Sequence, residues 1–187
     1  GSSGGQTFGN ITFVDSGAID FAGSASADGD LFMDGGTDNT VGGTLAVTAT
    51  TGGITDSATI AVTGNLTLND VATAGITLGT LEADANVIIT AAGNTAITND
   101  AALALQGTVT GTLDATATTG DITDSDALAV SGASVFTLGA DGSNISLDSA
   151  ANAFSGAVTL KAGSSGGQTF GNITFVDSGA IDFAGSA

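Results

Sequence analysis

The sequence has no cysteine, histidine, proline, tryptophan or tyrosine, and one basic residue, Lys161. Without cysteine there are no disulfides and no thiol chemistry, although that alone assigns no compartment. Without histidine as well, the usual nucleophile–base pairs are missing, and one lysine cannot build an oxyanion clamp. Catalysis is left with paired carboxylates, as in glycoside hydrolysis. Such a site is expected to carry aromatic platforms and arginine for the sugar, and the chain has no arginine, tyrosine or tryptophan. The sequence therefore reads as a non-enzyme, with no catalytic, cofactor-binding or metal residue assigned.

Basic charge is as scarce as aromatic surface. Nineteen acids, all aspartate except Glu82, leave a formal net charge of −18. Nucleic acid is excluded as a partner, since phosphate contacts need Lys and Arg to displace counterions. An anionic membrane surface is disfavoured for the same reason. No apolar run approaches the length of a transmembrane span and no signal peptide opens the chain. The chain starts with Gly1 rather than Met, so it is expected to be a piece of something longer or a processed product.

What is present points to a folded β protein. The sequence is 42% hydrophobic, drawn mostly from Ala, Val, Ile and Leu, with thirty Gly and abundant Thr, Ser, Asn and Asp. Disordered chains have the opposite bias, poor in β-branched residues and rich in Pro, Glu and Lys. Leu45 and Val47, Leu66 and Leu68, Val87 and Ile89, Leu128 and Val130, and Val158 and Leu160 alternate with small or polar residues. A period of two sends one set inward and the other outward.

Repeats organise these strands. "GSSGGQTFGNITFVDSGAIDFAGSA" occupies residues 1–25 and returns unchanged at residues 163–187, a period of 162. Residues 1–162 then form one full repeat and residues 163–187 the start of the next. A looser repeat relates "GTLAVTATTGGITDSATIAVTG" from Gly43 to "GTLDATATTGDITDSDALAVSG" from Gly111, an offset of 68. Strands led by Gly or Ala begin at Gly9, Gly29, Gly43, Gly64, Ala85, Gly111, Gly132 and Gly156, several of them about 20–26 residues apart, in the range of solenoid repeats. The expected fold is all-β, a parallel β-solenoid with roughly 20–25 residues per rung and about seven rungs per period, the rungs about 4.8 Å apart. Absence of proline suits it, because every residue can donate to the axial ladder.

"GNLTLND", "TATTGDITDS", "ALAVSGASVFTL" and "GAVTLKA" resemble the repeat regions of filamentous-haemagglutinin-type adhesins and related giant β-strand-repeat surface proteins of bacteria. The resemblance implies a right-handed parallel β-helix, export to the cell surface, and a role as stalk, fibre or adhesin.

Four motifs bear on chemistry. Asp28, Asp30, Asp34 and Asp38 lie within eleven residues, and carboxylates of this kind suit Ca²⁺. Their spacing matches neither the EF-hand loop nor the glycine-rich nonapeptide, and aspartates in exposed corners supply turn hydrogen bonds. No cofactor is required, and Ca²⁺ is the ion these residues would suit. Asp56 and Asp124, in the two Ile-Thr-Asp-Ser copies, read as turn residues that close a rung. Thr48/Thr50 and Thr116/Thr118 could begin an ice-binding hydroxyl array, but the motif recurs only about three rungs apart, and ordinary outward threonines account for it. Asn-x-Ser/Thr at Asn10, Asn65, Asn144 and Asn172 begins apolar strands and is short enough to arise by chance.

The expected function is structural: a segment of a tandem-repeat extracellular filament or stalk, partnered with itself end to end, its acidic surface preventing lateral clumping. The alternative is an adhesin module recognising a glycan or a cell surface.

Overall fold

The computed structural model describes residues 11–15, 19–21, 24–26, 32–34, 38–56, 59–162 and 169–184, with backbone pairing alone for those before residue 40. Every regular element among the described residues is a β-strand. The chain forms a parallel β-solenoid. One sheet runs through Ile11–Asp15, Leu45–Ala49, Leu66–Asp70, Asn86–Ala91, Leu103–Val109, Ile122–Val130, Ile145–Leu147 and Ile173–Phe175, with Ala153–Phe154 also paired to Ile122–Val130. The other runs through Ile19–Phe21, Ile54–Asp56, Ile76–Ala83, Thr95–Asn99, Leu113–Ala117, Ser134–Leu138 and Val158–Ala162, with Asp38–Val41 and Thr59–Val62 beside it. The second path makes six coil-to-coil steps between Ile19 and Val158, about six turns, and the first makes seven between Ile11 and Ile173, one 162-residue period.

Coil length varies along the axis. Between Leu45 and Val158 the register advances by 18 to 24 residues per coil: Leu45 to Leu66 is 21, Thr95 to Leu113 is 18, and Ser134 to Val158 is 24. From Ile11 to Leu45 it advances 34, and from Ile145 to Ile173 it advances 28. The long first coil contains the one antiparallel pair among the described residues, Ser24–Ser26 with Phe32–Asp34. The strand expected from Gly29 as a solenoid rung therefore pairs antiparallel in a two-stranded sheet of its own, against Asp38–Val41.

Inward residues stack in columns. Leu45, Leu66, Val87 and Leu105 lie in register, as do Ile54, Ile76, Thr95, Leu113, Ser134 and Val158. All ten are buried. Successive side chains compensate in volume, as close packing requires. The buried column Leu78, Ile97, Ala115 and Phe136 places the smallest residue directly against the largest. All nine phenylalanines fall within residues 8–32 and 136–183, so the core between them is aliphatic. Coils lengthen where the rings enter: Phe136, Phe154, Phe175 and Phe183 form a chain of ring contacts with centroids 4.8 to 6.0 Å apart at successive pairs.

Each coil has three strand segments, and the third changes allegiance along the axis. In the lower coils it continues the second sheet, as in Ile76–Ala83, whose register breaks between Leu78 and Leu81. Higher up it continues the first sheet, as in Leu103–Val109 and Ile122–Val130, with a break between Leu105 and Gly107. Gly107 has φ of +115°, and a Cβ there would collide with the Ile89 carbonyl oxygen. Only glycine lets the backbone bend in that space.

Asn99 makes the change of allegiance possible. Its side chain is fully buried. Its Oδ1 accepts the Ala83 N–H at 2.7 Å, and its Nδ2 donates to the Ala83 and Ala102 carbonyls at 3.1 and 2.7 Å. The amide thus stands in for a peptide unit where the main chain leaves the ladder, satisfying groups that burial would otherwise leave costly.

The 68-residue repeat does not stack on itself. Leu45–Ala49 lies in the first sheet and its counterpart Leu113–Ala117 in the second, while Ile54–Asp56 lies in the second and Ile122–Val130 in the first. Three coils of about 20 residues account for most of the offset and leave one side of a three-sided coil over. The same text therefore reappears turned by one side.

Candidate functional site

For a solenoid the surfaces that matter are the corners, which hold coil to coil, and the two axial edges, where stacking continues or stops. The corners are built from glycine and aspartate. Gly111, Gly132 and Gly156 follow one another at one corner, and a Cβ on Gly132 would lie 2.5 Å from the Gly111 carbonyl oxygen. That close approach explains why so many strands are led by glycine.

Asp56 and Asp124 act as clamps between coils. Asp56 accepts the N–H groups of Gly79 and Thr80 at 2.8 Å, and the Thr80 hydroxyl at 3.0 Å. Asp124 accepts the N–H groups of Asp148 and Ser149 and the amide of Asn152. Asn152 in turn accepts the buried Leu128 N–H at 2.8 Å. Each carboxylate therefore binds two successive N–H groups of the next coil rather than closing its own. These charge-assisted bonds are the stronger kind.

A second ladder runs along the C-terminal coils. Asp121 accepts the backbone N–H and side-chain amide of Asn144, and Asn144 Oδ1 accepts the N–H of Asn172 at 2.7 Å. The Asn144 amide, singled out by the sequon, is thus occupied in holding coils together. Asp141 accepts the Thr169 N–H and hydroxyl at 2.7 and 3.0 Å. The Thr169 N–H first, and then its hydroxyl, hold the Asp141 carboxyl below its ordinary value.

The other expected features fall in different parts of the chain. Asp28 and Asp30 lie outside the described residues, Asp34 is in the antiparallel pair, and Asp38 is in a strand of the second sheet. Among the described residues no group of three or more acidic side chains could hold a metal ion. Thr48 and Thr116 occupy different sheets, so their Thr-x-Thr motifs share no surface. Asn10 lies outside the described residues. A depression of about 240 Å³ lies among Thr59, Thr80, Glu82, Thr98, Asp100 and Thr118, below the roughly 300–1,000 Å³ of small-molecule sites.

The axial edges are different. The first sheet opens with Ile11–Asp15 and ends with Ile173–Phe175, which carry the two copies of one text. The early copy is paired toward Leu45–Ala49, with Ile11 opposite Leu45 and Phe13 opposite Val47. The late copy is paired toward Ile145–Leu147, with Ile173 opposite Ile145 and Phe175 opposite Leu147. Likewise Ile19–Phe21 pairs with Ile54–Asp56, and Phe183 bridges to Val158. Ile173 and Phe183 are 44% and 53% exposed on the late edge. The molecule thus displays both pairing edges of the same strand, one at each end.

Parallel coils, a continuous core and side-chain clamps define a β-solenoid repeat protein. The chain belongs to a family of repeats of unknown function (DUF5649), whose model matches residues 36–91 and 92–161. No curated protein and no solved structure matches it.

Proposed function

We propose that this chain is one period, and the start of the next, of a long extracellular filament built as a continuous β-solenoid. The observation that carries the reading is the placement of the two identical segments. The strand that ends the first sheet has, as its earlier copy, the strand on which Leu45–Ala49 stacks. Stacking can therefore pass from one period into the next with pairings already present in the chain. The work such a segment does is mechanical. Axial hydrogen bonds and a packed interior resist bending, and the negative surface keeps filaments apart.

The likeness to filamentous-haemagglutinin-type repeats supports a setting on a bacterial cell surface. Successive periods are taken as one giant polypeptide, since a 25-residue overlap is what a tandem array shows when slightly more than one period is read. Denaturing electrophoresis of native filaments tests this: a ladderless band far above 17.6 kDa is expected, and dissociation to 17.6 kDa units would replace it with stacked subunits. An adhesin reading predicts binding to a glycan array by the folded segment; the structural reading predicts none.

A further inference from the structure

We infer that two copies of this chain pair side by side through the outward face of the first sheet between Leu45 and Val109. Each chain stays continuous along its own axis, and the inference goes beyond the filament reading without resting on it.

The face is set apart by its charge. Leu45–Ala49, Leu66–Asp70, Asn86–Ala91 and Leu103–Val109 stack in register, so their outward residues line up in columns. Thr48, Asn69, Thr90 and Thr108 form one column, with Thr67 and Ile88 adjacent in the next. The one acid in these four strands, Asp70, faces inward and is buried. No outward residue of the four is therefore charged, in a chain of net charge −18. The second sheet differs, since its outward columns carry Asp114 and Lys161. Val71, just beyond the end of Leu66–Asp70, is 57% exposed, the most exposed large hydrophobic among the described residues.

Charge, spacing and area together point to a second copy as the occupant. Like charge repels a copy from the acid-bearing sides, whereas this side opposes it with none. Two sheets pack face to face about 10 Å apart, so acids on the far sides lie beyond the Debye length of about 8 Å at physiological salt. A second copy also carries the same spacing of about 4.8 Å between coils, so its columns match these coil by coil. Contact about a two-fold axis uses the same face on both chains. Four strands of about five residues cover roughly 300 Å² a copy, or about 600 Å² in the pair, the range of weak, transient association. Charge on the other sides holds the association to a pair.

Sedimentation equilibrium of the full 187-residue chain at physiological salt tests the pairing. Reversible dimers are expected as the concentration approaches about 1 mM, in keeping with so small a face. Thr90→Glu places like charges at the centre of the contact and should weaken association at least tenfold. Thr116→Glu makes the same change at an outward position of the second sheet and should leave association unaltered. Circular dichroism checks that both variants keep the fold. In a second arm, Thr90→Cys and Thr116→Cys chains are treated with a bismaleimide that reaches about 10 Å, the spacing of packed sheets. The Thr90→Cys chain should give at least tenfold more crosslinked dimer. A chain that is monomeric at every concentration, or an equal response at the two positions, overturns the proposal. The filament reading is decided separately, by electrophoresis of native filaments.

Discussion

Replacing Asn99 with leucine removes a side chain that acts as part of the backbone. The shapes are similar, so the apolar volume is nearly kept and the loss is one of hydrogen bonding. Three bonds disappear: the Ala83 N–H to Oδ1, and Nδ2 to the carbonyls of Ala83 and Ala102. The net worth of each such bond is about 1 kcal/mol, and a buried group left without a partner costs about 1–3 kcal/mol. With Asn99 fully buried, water cannot readily replace the amide. Asn99→Leu is thus expected to destabilise the chain by about 3–5 kcal/mol, the upper part of the range for single substitutions. Because coils contact chiefly their neighbours, the damage should be local as well as global. Chemical denaturation gives the total, and native-state hydrogen exchange gives the place: the Ala83 amide should lose protection in the variant while that of Leu128, held by Asn152, keeps it. Asn99→Asp sharpens the test. It retains an acceptor for the Ala83 N–H but turns a carboxylate toward two carbonyls, so it should be at least as damaging near neutral pH and recover on acidification as the acid regains a donor. A loss below about 1 kcal/mol for Asn99→Leu, with the Ala83 amide still protected, would refute the idea that this amide completes the ladder.

Other expectations follow from the corners and the core. Gly107→Ala should cost more than about 2 kcal/mol, combining left-handed strain with a collision at Ile89, whereas Gly142→Ala, at φ of +74° with open space around it, should cost only about 1 kcal/mol of strain. Thermal or urea melts of the two variants separate the contributions. Phe136→Ala should lose about 3–5 kcal/mol, because Ala115 beside it is too small to close the cavity; urea denaturation reads the loss. Asp124→Ala should release the Asp148, Ser149 and Asn152 contacts and make that corner the first site of limited proteolysis, with a stability loss of about 2 kcal/mol. The Asp141 carboxyl titrates lower when folded than its ordinary value of 3.8, so its contribution is fully present above that value and fades as pH falls through the folded value. Acidification below pH 3.8 should therefore erode this contribution in wild type, and Asp141→Asn should flatten that part of the stability profile, as thermal melts at stepped pH will report.

Much of the fold was legible because a strand has a period of two and a corner has little room. Leu45 and Val47, or Val87 and Ile89, announce a buried face directly, and glycine ahead of the strand reflects the 2.5 Å that a Cβ on Gly132 would leave to Gly111. The sequence was silent on which side a strand occupies. All three sides present the same environment, one face packed and one wet, so the copies at Leu45 and Leu113 read alike although they lie in different sheets. The antiparallel pairing of Phe32–Asp34 escaped for a related reason, since alternation marks a strand but not its partner's direction. Asp56 and Asp124 were recognisable as turn residues, yet their targets, in the next coil, depend on coil length. Asn99 did leave a signal. It shares parity with Thr95 and Ile97, which places an amide on the inward face, where a polar group needs a purpose.

The central claim is that periods of 162 residues follow one another along a single solenoid axis. Electron diffraction or helical reconstruction of native filaments tests it most directly. Continuous stacking gives an axial spacing of about 4.8 Å from coil to coil, modulated by a longer period of about 34 Å, seven steps, where the long coils recur. Globular particles, or filaments whose strands run along the axis instead of across it, would contradict it.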